Sequence, residues 1–349
     1  MSFQVLALET SCDENAAAVV ADGRTIRASV VASQIEVHRR YGGVVPELAG
    51  REHLRSLAAV LQETLHDAGC SWTALDAIAV TQGPGLGGSL LVGVNAAKAI
   101  AWARGLPCLP VHHIEGHIYA NWLDPARAQH GGAPPPLPAV CLVVSGGHSE
   151  LLLMESHGRL TRLGGTLDDA AGEAFDKVAR LLGLPFPGGP PIERTAAAAR
   201  HAAGRLPRAR LPGTFDFSFS GLKTAVLHRV REQPLQSPGP LARAFQEAVV
   251  DALVTKTAAA AAAYDVRTVL AAGGVAANGA LRNALRERCG ERLGIEVRLP
   301  PPALCTDNAA MIGAAAFYRR DALGADGLRF DLFSTSGTHS IAQPAPPTG

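Results

Sequence analysis

The chain has 349 residues, which at about 150 residues per domain leaves room for roughly two domains. Apolar residues make up 47% and charged residues 18%, which excludes a disordered chain and permits a large core. The net charge of +1 excludes a uniformly basic binder but not a local basic patch.

Only Lys98, Lys177, Lys223 and Lys256 are lysines, so the 32 cations are almost all arginine, the better phosphate fork. The six cysteines are Cys12, Cys70, Cys108, Cys141, Cys289 and Cys305. None forms a CxxC pair, so a zinc ribbon and a thioredoxin motif are excluded. Scattered cysteines behind an uncharged start, Met1-Ser2-Phe3-Gln4, predict a reduced, cytoplasmic protein. No apolar run reaches the roughly 20 residues of a membrane span without a Gly, Pro or charge, so no membrane contact is expected.

The chain opens on a meander. Val5–Glu9 reads as a buried strand, followed by the polar turn Thr10–Asn15, a strand at Ala16–Val20, a turn at Asp22-Gly23 and a strand at Thr25–Val31. Pro46–His66 reads as a helix with Leu54, Leu57, Leu61 and Leu65 on one face. Ala77–Thr81 is a strand, Gly83–Gly88 a glycine turn, and Ser89–Arg104 a helix of small residues. Pro110–Trp122 is predicted helical, and Asp124–Pro138, rich in Pro, Gly and Ala, a loop.

The opening pattern then returns. Ala139–Val144 is a strand, Ser145–Ser149 a tight turn, and Glu150–Met154 and Arg159–Leu163 are strands. Asp168–Leu182 is predicted helical and Leu184–Pro191 a stiff turn. Helices follow at Gly221–Val230 and Pro240–Tyr264, then a strand at Thr268–Ala272, a helix at Asn278–Arg292, a strand at Ile295–Leu299 and a last helix at Asp307–Leu323. Two copies of one meander-plus-helix unit predict a duplicated α/β fold with a cleft between its halves. The actin-like ATPase (ASKHA) folds have that plan, whereas a Rossmann fold opens strand–helix.

Three strands run into glycine turns: Val144 into Ser145-Gly146-Gly147, Val80 into the turn at Gly83, and Ala272 into Gly273-Gly274. Such turns can aim several backbone N–H groups at an anion, or they can simply be tight turns. Their recurrence at matching places favours a nucleotide-like ligand. Gly83–Gly88 is not a Walker A loop, because no Lys-Ser/Thr follows.

His113 and His117 are four apart, so on a helix both rings point one way. With one carboxylate they could hold Zn²⁺ or Fe²⁺ and leave positions open for a substrate. An ordinary interface pair is the alternative. The zinc-protease motif is excluded: Glu115 is two residues after His113, about 200° around the helix, and points away from such a metal. Asp307 is the candidate third ligand, with helix N-cap as its other role.

Several motifs resemble one family in series. They are Leu8-Glu9-Thr10-Ser11-Cys12-Asp13-Glu14, Tyr41-Gly42-Gly43-Val44-Val45-Pro46-Glu47, Thr81-Gln82-Gly83-Pro84-Gly85, Val111-His112-His113-Ile114-Glu115-Gly116-His117, Val144-Ser145-Gly146-Gly147-His148, Gly172-Glu173-Ala174-Phe175-Asp176-Lys177, Gly273-Gly274-Val275-Ala276-Ala277-Asn278 and Cys305-Thr306-Asp307-Asn308. The chain resembles the tRNA N6-adenosine threonylcarbamoyltransferases from about residue 5 to about 320.

The resemblance implies a two-lobed ASKHA fold. The first lobe would span residues 1–118, completed by the helix from about 307 to 335, and the second 119–306. It implies transfer of threonylcarbamoyl from threonylcarbamoyl-AMP to N6 of adenosine 37 in tRNAs reading ANN codons. His113, His117 and Asp307 fall on the family's metal ligands, usually described as iron, with zinc also seen. Val143, Val144, Ser145, Gly146, Gly147, Asp176, Gly189 and Asn278 fall on substrate-binding positions. The implied partners are a TsaB-like paralogue and a TsaE-like ATPase.

Asp13 and Glu14, in the first turn, are expected to act as polar or acid–base groups, or else to form the turn. Lys98 and Lys177 read as structural. Arg194, Arg200, Arg205, Arg208 and Arg210 could meet the tRNA backbone or be a solvated face. Asn15, Gly50 and Glu193 stand where many members carry Thr, Ser and Asp. The competing readings are an actin-like small-molecule kinase or ATPase, which gives the His pair no role, and a silent scaffold, which needs no metal ligands.

Overall fold

The computed structural model describes residues 2–123, 133–232, 237–323 and 327–334. Most of the loop predicted at Asp124–Pro138 lies outside them. The described residues form two compact units, one from those up to 135 together with 307–334, the other from 136–306.

The first unit is a five-stranded sheet. Its strands are β1 (Gln4–Glu9), β2 (Glu14–Ala21), β3 (Thr25–Ser33), β4 (Ala77–Gly83) and β5 (Cys108–His112), in the order β3-β2-β1-β4-β5. Strand β1 is central, antiparallel to β2 (Leu6 opposite Val19) and parallel to β4 (Leu6 opposite Ile78). Both its faces are covered, so it reads as a continuous apolar run with Val5, Leu6, Ala7 and Leu8 fully buried. The helices are α1 (Ile35–Arg39), α2 (Pro46–Asp67), α3 (Gly87–Arg104), α4 (His113–Tyr119) and α10 (Ala309–Leu323). Pro46 opens α2, where its missing N–H costs nothing. The helix buries Leu57, Leu61 and Leu65, while Leu54, predicted on the same face, is 69% exposed.

The second unit repeats the plan. Its strands are β6 (Ala139–Val144), β7 (Ser149–Ser156), β8 (Arg159–Gly165), β9 (Thr268–Ala272) and β10 (Glu296–Arg298), in the order β10-β9-β6-β7-β8. Central β6 is antiparallel to β7 (Leu142 opposite Leu151) and parallel to β9 (Leu142 opposite Ala271), as β1 is to β2 and β4. Its helices are α5 (Ala171–Leu181), α6 (Gly189–Ala198), α7 (Ser220–Glu232), α8 (Gly239–Ala263) and α9 (Gly279–Leu285). Each unit has its own apolar core. None of the described helices is long and apolar enough to cross a membrane.

Several elements depart from the sequence expectations. Cys108–His112 is strand, and the helix predicted from Pro110 begins at His113. Helices α1 and α6 were not expected; the prolines read as a stiff turn, Pro190 and Pro191, sit in the first turn of α6. Helix α5 begins at Ala171 because Asp168 is engaged elsewhere, accepting from the amide of Phe219 at 2.8 Å. Helix α9 ends at Leu285, and Arg286–Glu291 form a π turn.

Helix α10 packs on α4 at Gly116, against the end of the Ile312 side chain. A Cβ there would sit 2.6 Å from Ile312 Cδ1. The contact is locked by a buried ion pair, Arg319 Nη1 to Glu115 Oε1 and Oε2 at 2.6 and 2.5 Å. Burial pushes the Glu115 pKa up despite the opposing pull of Arg319. Arg319→Met strands that carboxylate in the core. It is expected to cost about 3–5 kcal/mol in urea unfolding, most of it recovered by adding Glu115→Leu. A loss below about 1 kcal/mol would show that the pair does not hold the helices.

Candidate metal centre

Strand β5 ends at His112, whose Nδ1 accepts the amide of Ile114 at 3.3 Å and so starts helix α4. His113 and His117 then face one way, with ring centroids 4.6 Å apart. Asp307 does not cap the last helix. That role falls to Asn308, whose Oδ1 accepts from the amide of Met311 at 3.0 Å. The Asp307 carboxylate is left to face the imidazoles, with Oδ1 3.2 Å from His117 Nε2 and 3.6 Å from His113 Nε2. One ligand atom from each of the three residues lies within 4.8 Å of the others. All three belong to the first unit, so the set is complete there.

Sequence reasoning missed a fourth residue, Glu9. It ends β1, is fully buried, and accepts the amide of Ser11 and the hydroxyl of Thr81, each at 2.5 Å. Its Oε2 lies 3.1 Å from His113 Nδ1. That contact fixes the ring so that Nε2 faces Asp307, as a carboxylate commonly orients a metal-bound histidine. The available signal was a carboxylate in phase with Val5 and Ala7 at the end of an apolar run.

The residues fit a cation. His117 is 1% exposed, yet neither ring nitrogen has a hydrogen-bond partner among the described residues. Buried polar atoms of this kind need a reason, and a cation shared with Asp307 would satisfy Nε2. Burial lowers the His113 pKa, but Glu9 and Asp307 outweigh it and push it up to about 9. Glu9, in turn, is held low: burial raises it, and His113 more than compensates.

The other predicted residues are placed as follows. Glu14 starts β2, accepts the Ser33 hydroxyl at 2.8 Å, and is raised to about 7 by burial. Asp13 precedes it in the turn, its carbonyl accepting from the amide of Gln34 at 3.0 Å. Val143 and Val144 are buried in β6 and offer only backbone. The Ser145 amide, expected to face a ligand, closes its own turn on the His148 carbonyl at 2.8 Å. Gly146 and Gly147 are exposed, and their amides meet no acceptor among the described residues. Asp176 accepts the amide of Gly188 at 2.6 Å, next to Gly189 at the start of α6. Asn278 caps α9 through Leu281 N at 3.0 Å and donates to Gln246 at 2.9 Å, so its amide is engaged. Glu193 accepts from the amide of Gly279 at 2.7 Å, a structural use of its longer side chain.

Lys177 is structural as expected, 2.7 Å from Asp169 and 2.8 Å from Glu173. Lys98 donates to the carbonyl of Phe330 and lies 4.4 Å from its ring centroid.

A proton and a cation compete for His113 Nε2. The proton is held up to about pH 9, so zinc affinity should rise with pH toward that value. Glu9→Gln removes one of the two carboxylates that hold the proton and should flatten the rise. Above pH 9, where competition has ended, it should still weaken zinc binding by about 10–100-fold through lost ring orientation. Competition titrations against a chelator check both; superimposable wild-type and variant curves would refute the orienting role.

Known proteins resemble this chain over most of its length. The family model of TsaD, tRNA N6-adenosine threonylcarbamoyltransferase, matches residues 25–314. A protein of that name from Thermomicrobium roseum is 53% identical over 352 residues, covering 94% of each chain. One from Geobacillus thermodenitrificans is 57% identical over 89% of this chain and 90% of its own. One from Bacillus subtilis is 54% identical over 89% of each. Among solved structures, T. kodakarensis HypF aligns with a TM-score of 0.61 at 16% identity, over 94% of this chain and 49% of that one. Component A of (R)-2-hydroxyglutaryl-CoA dehydratase from Acidaminococcus fermentans aligns at 0.54 and 14%, over 91% and 99%. These two likenesses bear on the fold alone, which is the actin-like ATPase (ASKHA) fold. The chain belongs to the tRNA N6-adenosine threonylcarbamoyltransferase family.

Proposed function

We propose that this transferase moves the threonylcarbamoyl group from threonylcarbamoyl-AMP to N6 of adenosine 37 in tRNAs reading ANN codons. The observation that carries it is the convergence of His113, His117 and Asp307 in a chain of this family. The donor is a mixed anhydride with AMP as its leaving group, so no protein nucleophile is required. The N6 amine attacks the carbamoyl carbon, the bond to the AMP oxygen breaks, and the amine loses a proton.

His113, His117 and Asp307 would hold one cation, iron with zinc as the substitute, which supplies a Lewis acid when bound. The amides of Gly146 and Gly147 are the donors for charge developing on the donor. Val143, Val144, Ser145, Asp176, Gly189 and Asn278 build the strand, turn and helix starts around them. Glu14, with a pKa of about 7, suits the proton transfer, and Asp13 is its charged neighbour. The acceptor base lies in a loop, so exposing it costs little.

The chain acts in the cytoplasm with a TsaB-like paralogue and a TsaE-like ATPase. A small-molecule kinase gives the His pair no task and is not favoured by the family match.

Reconstitution with threonylcarbamoyl-AMP, unmodified tRNA and the partner proteins tests the function, with nucleosides read by mass. Wild-type protein should yield threonylcarbamoyladenosine. His117→Ala should yield none while its circular dichroism stays wild type. Full activity in that variant would remove the metal role, and ATP turnover on a small alcohol would favour the kinase.

A further inference from the structure

Charge in this protein is segregated. Between Arg194 and Arg231 there are eight cations, namely Arg194, Arg200, Arg205, Arg208, Arg210, Lys223, Arg229 and Arg231, against one carboxylate, Asp216. That local surplus of seven sits in a chain whose net charge is +1, so the remainder is net negative by six.

The middle of the stretch is the connection from α6 to α7. It runs without helix or strand apart from one bridge, Phe217 to Thr166. Long connections of this kind are uncommon unless they have a task. This one is pinned by cations from neighbouring helices. Arg243 donates to the carbonyl of Ala199 at 2.8 Å, Arg229 to those of Ala203 and Arg205, and Lys256 to those of Leu211 and Thr214. Leu206 anchors it in the core.

The pinned connection borders an open cavity of about 720 Å³ lined by Arg205, Arg208, Arg210, Asp251, Lys256 and Phe215. Arg208 is spent on Asp251 at 2.9 Å. Arg205 and Arg210 are exposed, and their guanidinium groups pair with no carboxylate among the described residues. Folding therefore fixes the backbone and leaves two guanidinium groups uncompensated. Five positions apart, and so at most about 16–18 Å apart along the backbone, the two groups can meet separate phosphates of one polyanionic backbone.

We propose that Arg205 and Arg210, on this pinned connection of the second unit, take backbone phosphates of the tRNA substrate. The surface positions the RNA and reads no sequence. It deepens the proposed function and rests on it.

The test is binding of unmodified tRNA to the full chain between about 50 and 200 mM salt, followed by fluorescence anisotropy. In Arg205→Ala/Arg210→Ala, affinity should fall about ten-fold, and the slope of log affinity against log salt should become shallower by about one per arginine. Arg205→Lys/Arg210→Lys should restore the slope, because the charge returns. Zinc binding and thermal stability, measured on the same samples, should match wild type and so separate lost contacts from lost fold.

Wild-type affinity and slope in the alanine variant would overturn the proposal. So would protection of the two arginines from phenylglyoxal by AMP and not by tRNA, which would mark a nucleotide pocket. If wild type makes the modified nucleoside while the variant binds tRNA normally, only this surface fails. If wild type makes none, the proposed function fails and this proposal with it.

Discussion

The site depends on a single buried carboxylate. Glu9 sits at the end of the central strand with no exposure, where an isolated charge would be prohibitively costly. Three partners offset that cost: the Ser11 amide, the Thr81 hydroxyl and the His113 ring. Each comes from a different part of the first unit, the turn after β1, strand β4 and helix α4. One carboxylate thus ties the sheet to the helix that carries both imidazoles. The carboxylate of Asp307 comes from the residues just before α10, which packs on α4 and is tied to it by the Arg319–Glu115 ion pair.

The metal-ligand set and the exposed glycine amides belong to different units of a duplicated fold. Duplication explains their kinship. In each unit a central strand is antiparallel to the next strand and parallel to the fourth, and runs into a polar turn. In the first unit that turn is Thr10–Asp13 and leads to the acidic Glu14. In the second it is Ser145–His148, whose two glycine amides are exposed. The same topology has been fitted once with carboxylates and imidazoles and once with N–H donors.

Much of this was legible in the sequence because the signals are local. The repeated meander, the four-residue spacing of His113 and His117, and the misplacement of Glu115 for a protease all follow from period and helix geometry. What was hidden depends on tertiary contact. Asp307 and Asn308 are both good caps, and only the fold shows that Asn308 takes the role. Glu9 looks like the polar end of a strand until its neighbours surround it. Asn278, which the family resemblance implies on a substrate-binding position, caps α9, and Glu193 accepts from the first amide of that helix, contacts that the sequence does not reveal. Pro190 and Pro191 break a helix in the interior and open one at its start, so the same residues hid α6.

The central claim is that two imidazoles and one carboxylate share a cation. X-ray absorption spectroscopy of the zinc-loaded full chain tests it most directly. The account predicts two imidazole nitrogens and a carboxylate oxygen about 2.0–2.2 Å from the metal, with the remaining positions filled by solvent. A sulfur ligand, or a sphere with one imidazole or none, would contradict it.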